Sequence, residues 1–165
     1  MAAKDKDLND LFLDTLKDIY FAEKQILKAL PKMAKAAQAD KLRAAFEKHH
    51  GETEGQVERL EQIFELLGKP ARGKTCDAIM GILDEGKEIM EEYKGTEALD
   101  AGLLAAAQAV EHYEISRYGT LKQWAQQLGM REAVRLLDQT LQQEKKTDES
   151  LTTLAEAAVN LAAAA

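Results

Sequence analysis

Residues 104–121 read LAAAQAVEHYEISRYGTL, and this stretch decides how the rest of the chain is interpreted. Taken at helical steps of three and four residues, its core-facing side carries two acids among apolar residues. That side consists of Leu104, Ala107, Glu111, Glu114, Tyr118 and Leu121. Burying an unpaired carboxylate is strongly unfavourable even after the protein relaxes around it. Two inward acids on one helix therefore predict a compensating charge, and a bound metal ion is one of the few that fits.

The whole chain has the size and composition of a single helical domain. It has 165 residues, of which 45% are hydrophobic and 31% charged, with only two prolines. Ala, Leu, Glu, Lys and Gln dominate, which favours helix over strand. No alternating run of β-branched residues and no Asn-Gly or Asp-Gly hairpin turn occurs. We therefore predict one all-α domain over residues 1–165, with a core of about residues 7–160.

The charge and the targeting signals of the sequence limit the expected partners and location of the protein. The formal net charge is −7 and no basic stripe is present, which argues against nucleic acid as a partner. The N-terminal MAAKDKDLND is polar and lacks the apolar core of a signal peptide, and no apolar run is long enough to span a membrane. Cys76 is the only cysteine, so an intrachain disulfide is excluded and the thiol is interpreted as a packing residue. We expect a cytoplasmic protein.

The periodicity predicts four long helices. They cover residues 7–37, 40–67, 97–128 and 131–161. Pro31 should bend the first helix without ending it, and Asp40 is the expected N-cap of the second. The glycine-rich residues 71–96 are predicted to hold one or two short helices that connect the second long helix to the third. Two antiparallel hairpins joined in this way form a ferritin-like four-helix bundle.

The other three predicted helices also carry polar residues on their apolar sides, near the same height. These residues are Glu23 on the first helix, His49, Glu52 and Gln56 on the second, and Glu144 and Asp148 on the fourth. The acids of the two hairpins lie in matching positions, which indicates a faint internal repeat.

We predict that four carboxylates, Glu23, Glu52, Glu114 and Glu144, bind two divalent ions, whose charge they would balance. Glu111, His49, Gln56 and Asp148 would be further ligands or would orient the first four. Oxygen-rich sites with few nitrogens suit iron or manganese.

Several alternatives stay open from the sequence. The layer could be a metal-free polar network that fixes helix register, with some acids protonated or paired with Arg59 and Arg117. His49 could bind an ion or could hydrogen-bond a carboxylate. Glu47 and His50 spell the E-x-x-H of di-iron bundles, but both project away from the apolar side and are interpreted as surface residues.

Four segments resemble the YciE/YciF family of bacterial stress-associated proteins. They are AEKQILKALPKMAKAA at 22–37, AFEKHHGETEGQVERLEQIF at 45–64, AAAQAVEHYEISRYGTLKQWAQQLG at 105–129 and LDQTLQQEKKTDESLTTLA at 137–155. The connecting segment also fits, with Cys76 ahead of GILDEG at 81–86. The resemblance covers nearly the whole chain. It implies a ferritin-like bundle, a homodimer, and a di-metal site at Glu23, Glu52, Glu114 and Glu144.

Two functional hypotheses follow. The first is a ferritin-like protein that binds two metal ions, preferably iron, in a stress context, with Fe(II) oxidation or peroxide handling as its redox role. The second is a non-catalytic helical interaction protein whose polar layer contains no metal. An iron-storage cage is a weaker third hypothesis. Apolar residues beyond the predicted inward sides, such as Phe12, Phe46 and Phe64, suggest a partner surface, most simply that of a homodimer, unless the connecting segment covers them.

Overall fold

A computed structural model describes residues 5–165 of the chain, and all the regular secondary structure in this part is helical. The elements are α1 (Leu8–Ala36), α2 (Asp40–Leu66), α3 (Asp77–Glu92), α4 (Leu99–Gln127), α5 (Arg131–Leu154), a π-helical turn (Ala155–Val159) and α6 (Asn160–Ala163). The predicted all-α class is confirmed.

The four longest helices enclose the core. Helix α1 packs against α2 and α4, and α5 packs against α4 and α2. The connecting segment holds one helix, α3, which lies against α1 and α4. The side chains that point inward from these helices form one contiguous apolar core, which is interrupted only at its middle by polar residues.

Local chemistry explains where the helices begin and end. Asp7 caps α1 reciprocally with Asp10, and the helix continues through Pro31 as predicted. Gly68 and Gly129 follow α2 and α4 with φ of 63° and 72°, a left-handed conformation that glycine adopts without strain. The last predicted helix does run past residue 161, but the sequence prediction missed the π-helical turn at Ala155–Val159 that divides it into α5 and α6.

The predicted N-cap of α2 is also wrong. Ala39 occupies that position, and the side chain of Asp100 on α4 accepts hydrogen bonds from the backbone N–H groups of Gln38 and Ala39, at 2.8 and 2.7 Å. Asp100 is buried, so both contacts form largely out of water. The turn between α1 and α2 is thereby fixed to the start of α4 by a residue distant in sequence.

Replacing Asp100 by alanine is expected to destabilise the protein by about 2–4 kcal/mol, since it leaves two backbone donors without a charged acceptor. Urea unfolding measures the change. The matched control is Asp40→Ala, whose carboxylate is 95% exposed in a surface pair with Arg43 and is worth less than about 1 kcal/mol. Equal effects of the two substitutions would contradict the structural role of Asp100.

Helix α3 begins at a buried thiol. Cys76 is its N-cap, and its Sγ lies 3.0 Å from the hydroxyl of Tyr113 on α4, which in turn donates to Asp18 on α1. Burial raises the pKa of the Cys76 thiol, which keeps it in its unreactive form. The cysteine therefore packs α3 onto α1 and α4, as its interpretation from sequence predicts.

The aromatic rings expected on a partner surface lie inside the chain. Phe12, Phe46 and Phe64 are each only 1% exposed. The argument that they form a dimer surface is wrong, because packing between helices already covers them. The homodimer itself stays a prediction.

No helix within residues 5–165 is long and apolar enough to cross a membrane. The sequence prediction about the N-terminal segment depends partly on residues 1–4, which lie outside the described residues.

Candidate metal centre

A polar layer crosses the middle of the apolar core, and all four long helices contribute to it. Six residues of the layer were singled out from the sequence as ligands or supporting groups, and each is at most 3% exposed. They are Glu23 from α1, His49 and Gln56 from α2, Glu111 and Glu114 from α4, and Glu144 from α5. The inward side predicted for residues 104–121 is buried at every position. The structure therefore buries predicted acids of α1, α4 and α5, whereas α2 contributes His49 and Gln56 but no buried carboxylate.

Four of these residues form a compact cluster. His49, Glu111, Glu114 and Glu144 each offer one ligand atom, and these atoms lie within 4.8 Å of one another. Metal–ligand bonds to nitrogen and oxygen are about 2.0–2.6 Å long, so two ligands of one ion lie at most about 4–5 Å apart. The separations in this cluster are compatible with that limit. The cluster could therefore hold a metal ion.

The ring of His49 is held in one orientation. Its Nδ1 lies 3.0 Å from Glu111 Oε1, and its Nε2 lies 3.7 Å from Glu144 Oε2 and 4.0 Å from Glu114 Oε2. A carboxylate beside Nδ1 typically orients a metal-binding histidine and leaves Nε2 for the ion. His49 therefore lies between carboxyl groups at both ring nitrogens, and its role as an ion ligand stays a prediction.

Two neutral side chains complete the layer. The hydroxyl of Tyr118 donates to Glu23 Oε1, and the amide of Gln56 donates to Glu144 Oε1. Each contact leaves the second oxygen of the carboxyl without a donor. The sequence pattern places Tyr118 on the inward side of residues 104–121 but gives it no role among the polar residues. Its place one turn after Glu114 on the inward side was the signal that it belongs to the layer.

The layer is incompletely hydrogen-bonded. Within the described part of the chain, the buried side-chain atoms without a hydrogen-bond partner all belong to these six residues. They are Glu23 Oε2, His49 Nε2, Gln56 Oε1, both oxygens of Glu111, both oxygens of Glu114, and Glu144 Oε2. The His49–Glu111 contact is short enough for an ion pair but is not aligned as a hydrogen bond. Proteins rarely leave buried polar atoms in this state, so the layer requires an explanation.

Burial has its expected effect on the acids. It raises the pKa of Glu23 to about 8 and that of Glu111 to about 9, and it raises the pKa of Glu114 well above the ordinary range, with neighbouring carboxyls adding to the shift. For Glu144 the contacts with His49 and Glu111 outweigh burial and lower the pKa. Burial lowers the pKa of His49, but Glu111 and Glu144 outweigh it and raise the pKa to about 10.

Two of the predicted ligands lie outside the polar layer. Glu52 is 22% exposed and accepts from Lys48 Nζ at 2.7 Å and from Thr147 Oγ1 at 3.3 Å. Asp148 is 23% exposed and lies 3.1 Å from His112 Nε2. The inward positions of α2 and α5 are instead Thr53 and Thr147.

The arginines considered as partners of the acids contact other groups. Arg59 donates to Thr140 Oγ1 and Gln143 Oε1 on α5, and Arg117 lies over the ring of Tyr113. The described residues show no arginine or lysine ion pair with the buried carboxylates of Glu23, Glu111, Glu114 or Glu144. His49 is therefore the only cationic side chain paired with these acids in the described part of the chain.

Comparisons with known proteins agree with the resemblance found in the sequence. The chain is 46% identical over 151 residues to protein YciF of Escherichia coli K12, which covers 91% of each chain. A solved structure of the E. coli stress protein YciF superimposes with a TM-score of 0.90 and covers 94% of this chain and 99% of that one. A solved structure of YcfI from Rhodopseudomonas palustris, described provisionally as a structural protein, has 44% identity and a TM-score of 0.88 and covers 93% and 98%.

A family profile matches residues 7–164, which is nearly the whole chain, and bears the description "domain of unknown function (DUF892)". Together with the identity to YciF, this match shows that the chain belongs to the DUF892 family, the family of YciF.

Proposed function

We propose that the protein is a ferritin-like four-helix bundle that binds divalent metal ions, preferably iron, inside its polar layer. The single observation that carries the proposal is the group of unpaired buried atoms on Glu23, His49, Gln56, Glu111, Glu114 and Glu144. Metal ions would supply the missing partners of these oxygens and of His49 Nε2. Without them, the fold must keep several of the acids protonated.

The donor set favours iron or manganese over a structural zinc ion. One imidazole nitrogen and several carboxylate oxygens are available, and no thiolate is near the cluster. Glu23, Glu111, Glu114 and Glu144 together carry the charge that two divalent ions would balance. Each ion would supply Lewis acidity and, if it is iron, one-electron redox chemistry toward dioxygen or peroxide.

The chain's own residues would prepare this chemistry. Glu111 orients the His49 ring, Gln56 holds one oxygen of Glu144, and Tyr118 holds one oxygen of Glu23. The apolar core around the layer excludes water. Since YciF of E. coli is described as a stress protein, we extend the proposal to a role in a stress response, with Fe(II) or peroxide as the substrate.

The test is to load the metal-free protein with Fe(II) under anaerobic conditions, remove unbound ions and count metal per chain. We expect about two equivalents, from the charge balance, and a higher melting temperature because only the folded state holds the ligands. Admitting oxygen should then change the absorption spectrum of the bound iron. Less than one equivalent, with a chelator leaving the melting temperature unchanged, would overturn the proposal.

A structural role is the second candidate, favoured by the description of YcfI from R. palustris. In that case the layer would only fix helix register, through contacts such as those of Tyr118 with Glu23 and Gln56 with Glu144. It predicts that metal leaves stability unchanged, so the same experiment separates the two candidates.

A further inference from the structure

The proposed metal centre needs an access route, because its ligands are buried. We propose that Glu52, which lies on the solvent side of the layer, is the gate through which cations reach the centre, and that Lys48 holds this gate closed. The inference rests on the proposed metal binding and adds to it the residue that controls loading.

Glu52 is placed between water and the layer. Its Oε1 is paired with the largely exposed Lys48, whereas its Oε2 accepts from Thr147, which is only 9% exposed. Along α2 it lies three residues after His49, and Thr147 lies three residues after Glu144 on α5. Residues three apart on a helix are neighbours on its surface. A carboxylate at this position can collect a cation from solvent on one side, and on the other it reaches Thr147, one turn from Glu144 of the layer.

The helix around Glu52 carries two glycines that packing does not explain. Gly51 and Gly55 lie inside α2, where glycine weakens a helix relative to alanine. A Cβ at Gly51 would meet nothing within 4 Å, and one at Gly55 would make only an ordinary contact with Arg59 at 3.8 Å. Close approach of another helix therefore cannot account for them. Their remaining physical effect is local flexibility of the backbone on both sides of Glu52.

The alternative access routes are less suitable for a cation. The small cavity that reaches His49 from the side of α3 is lined otherwise by apolar side chains. Asp148 on the opposite side of α5 is partly exposed, but its carboxylate contacts Gln108 and the largely exposed His112 rather than an inward side chain. The boundary between α2 and α5 at Glu52 differs from these two routes. It combines a partly exposed negative charge with a contact to the inward side chain of Thr147.

Loading kinetics test the gate. Metal-free protein is mixed with Co(II), and its visible absorption is followed by stopped flow, with final stoichiometry measured separately. Glu52→Gln is expected to slow loading by about tenfold or more and to leave the stoichiometry unchanged, because the collecting charge is lost while the centre is intact. Lys48→Gln is expected to speed loading by about two- to fivefold, since it releases the carboxylate.

The matched control is Glu91→Gln. Glu91 pairs with Lys87 in the same four-residue spacing on α3, and both are exposed. It should load as the unmodified protein does. Gly51→Ala is expected to slow loading, whereas Gly119→Ala, at an α4 position where a Cβ also meets nothing, should not.

The outcomes separate this inference from the proposed function. If the unmodified protein takes up no Co(II) and no Fe(II), metal binding fails and the gate fails with it. If it binds but Glu52→Gln loads at the same rate, or if slowing occurs only in Asp148→Asn, the gate alone is overturned. A lower stoichiometry in Glu52→Gln would make Glu52 a permanent ligand, which also overturns the gate.

Discussion

Replacing Glu114 by glutamine is expected to stabilise the metal-free protein and to abolish its stabilisation by metal. Both oxygens of Glu114 are buried without a hydrogen-bond donor, and burial together with the neighbouring carboxyls raises its pKa well above 4.5. Keeping a carboxyl protonated at pH 7 costs about 1.4 kcal/mol for each unit between its unfolded pKa and the pH, or roughly 3 kcal/mol. Glutamine has the same shape and no such cost, so we expect a gain of about 1–3 kcal/mol.

The effect reverses when metal is present. A ligand at about a thousand times its dissociation constant stabilises the folded state by about 4 kcal/mol. The glutamine variant loses a charged ligand from the cluster and should lose most of this stabilisation. Urea unfolding with and without Fe(II), under anaerobic conditions, measures both differences for the same pair of proteins.

Glu58→Gln is the matched control for this experiment. Glu58 is exposed on α2, so its replacement should change stability by less than about 0.5 kcal/mol with or without metal. A Glu114→Gln variant that is more stable than the unmodified protein under both conditions would support the register role and contradict the metal site.

The spacing of the large apolar residues predicts the inward side of α4 correctly, although the two inward acids weaken the contrast between its apolar and polar sides. Only one rotation of residues 104–121 about the helix axis places the leucines and Tyr118 in the core. Both acids on the side that then faces inward are buried. Burial of Glu23 on α1 follows in the same way. For these helices the hydrophobic pattern alone fixes the rotation about the helix axis.

Helix α2 shows where such reasoning fails. Steps of three and four residues allow either Ala45 and Glu52 or Phe46 and Thr53 to accompany His49 on the inward side. The prediction from sequence places the carboxylate of Glu52 inward, whereas the structure buries Phe46 and Thr53. The larger ring gains more from burial than the small alanine does.

Buried threonine is tolerated at these positions because its hydroxyl can find a partner. Thr53 donates to the carbonyl of His49 one turn earlier, at 2.9 Å. On α5, Thr147 takes the inward position in place of Asp148 and donates to Glu52. The pattern of residue types cannot decide whether a carboxylate or a neighbouring threonine points inward when both positions are consistent with the helical repeat. Tertiary contacts decide, and the two halves of the internal repeat therefore differ in the structure.

The metal-free and metal-loaded proteins are expected to respond to pH in opposite directions. In the metal-free protein, burial raises the pKa of Glu23 to about 8 and that of Glu111 to about 9, and the neighbouring acids raise that of His49 to about 10 against the effect of burial. For each of these groups the folded state binds more protons than the unfolded state between the two pKa values. Stability contributed by the protonated form is therefore present at low pH and is lost as the pH rises toward the folded pKa.

The loss begins above about pH 5 for the carboxyls and above about pH 6.5 for His49, and it continues to about pH 8–10. Each group contributes a slope of up to about 1.4 kcal/mol per pH unit, so the free energy of unfolding should fall by several kcal/mol from pH 5 to pH 9. The pKa of Glu144 is lowered, so this carboxyl changes the free energy of unfolding only at more acidic pH.

Metal reverses the direction, because ions bind the deprotonated ligands and compete with protons for them. Between pH 5 and pH 7.5 the stabilisation by Mn(II), which is not oxidised by air in this range, should therefore grow with pH while the stability of the metal-free protein declines. Urea titrations across this range, with Mn(II) and with a chelator, measure both curves. If the two curves are parallel, the acids of the layer titrate in the same way with and without Mn(II). That result would contradict a metal site between His49 and the carboxylates of α4 and α5.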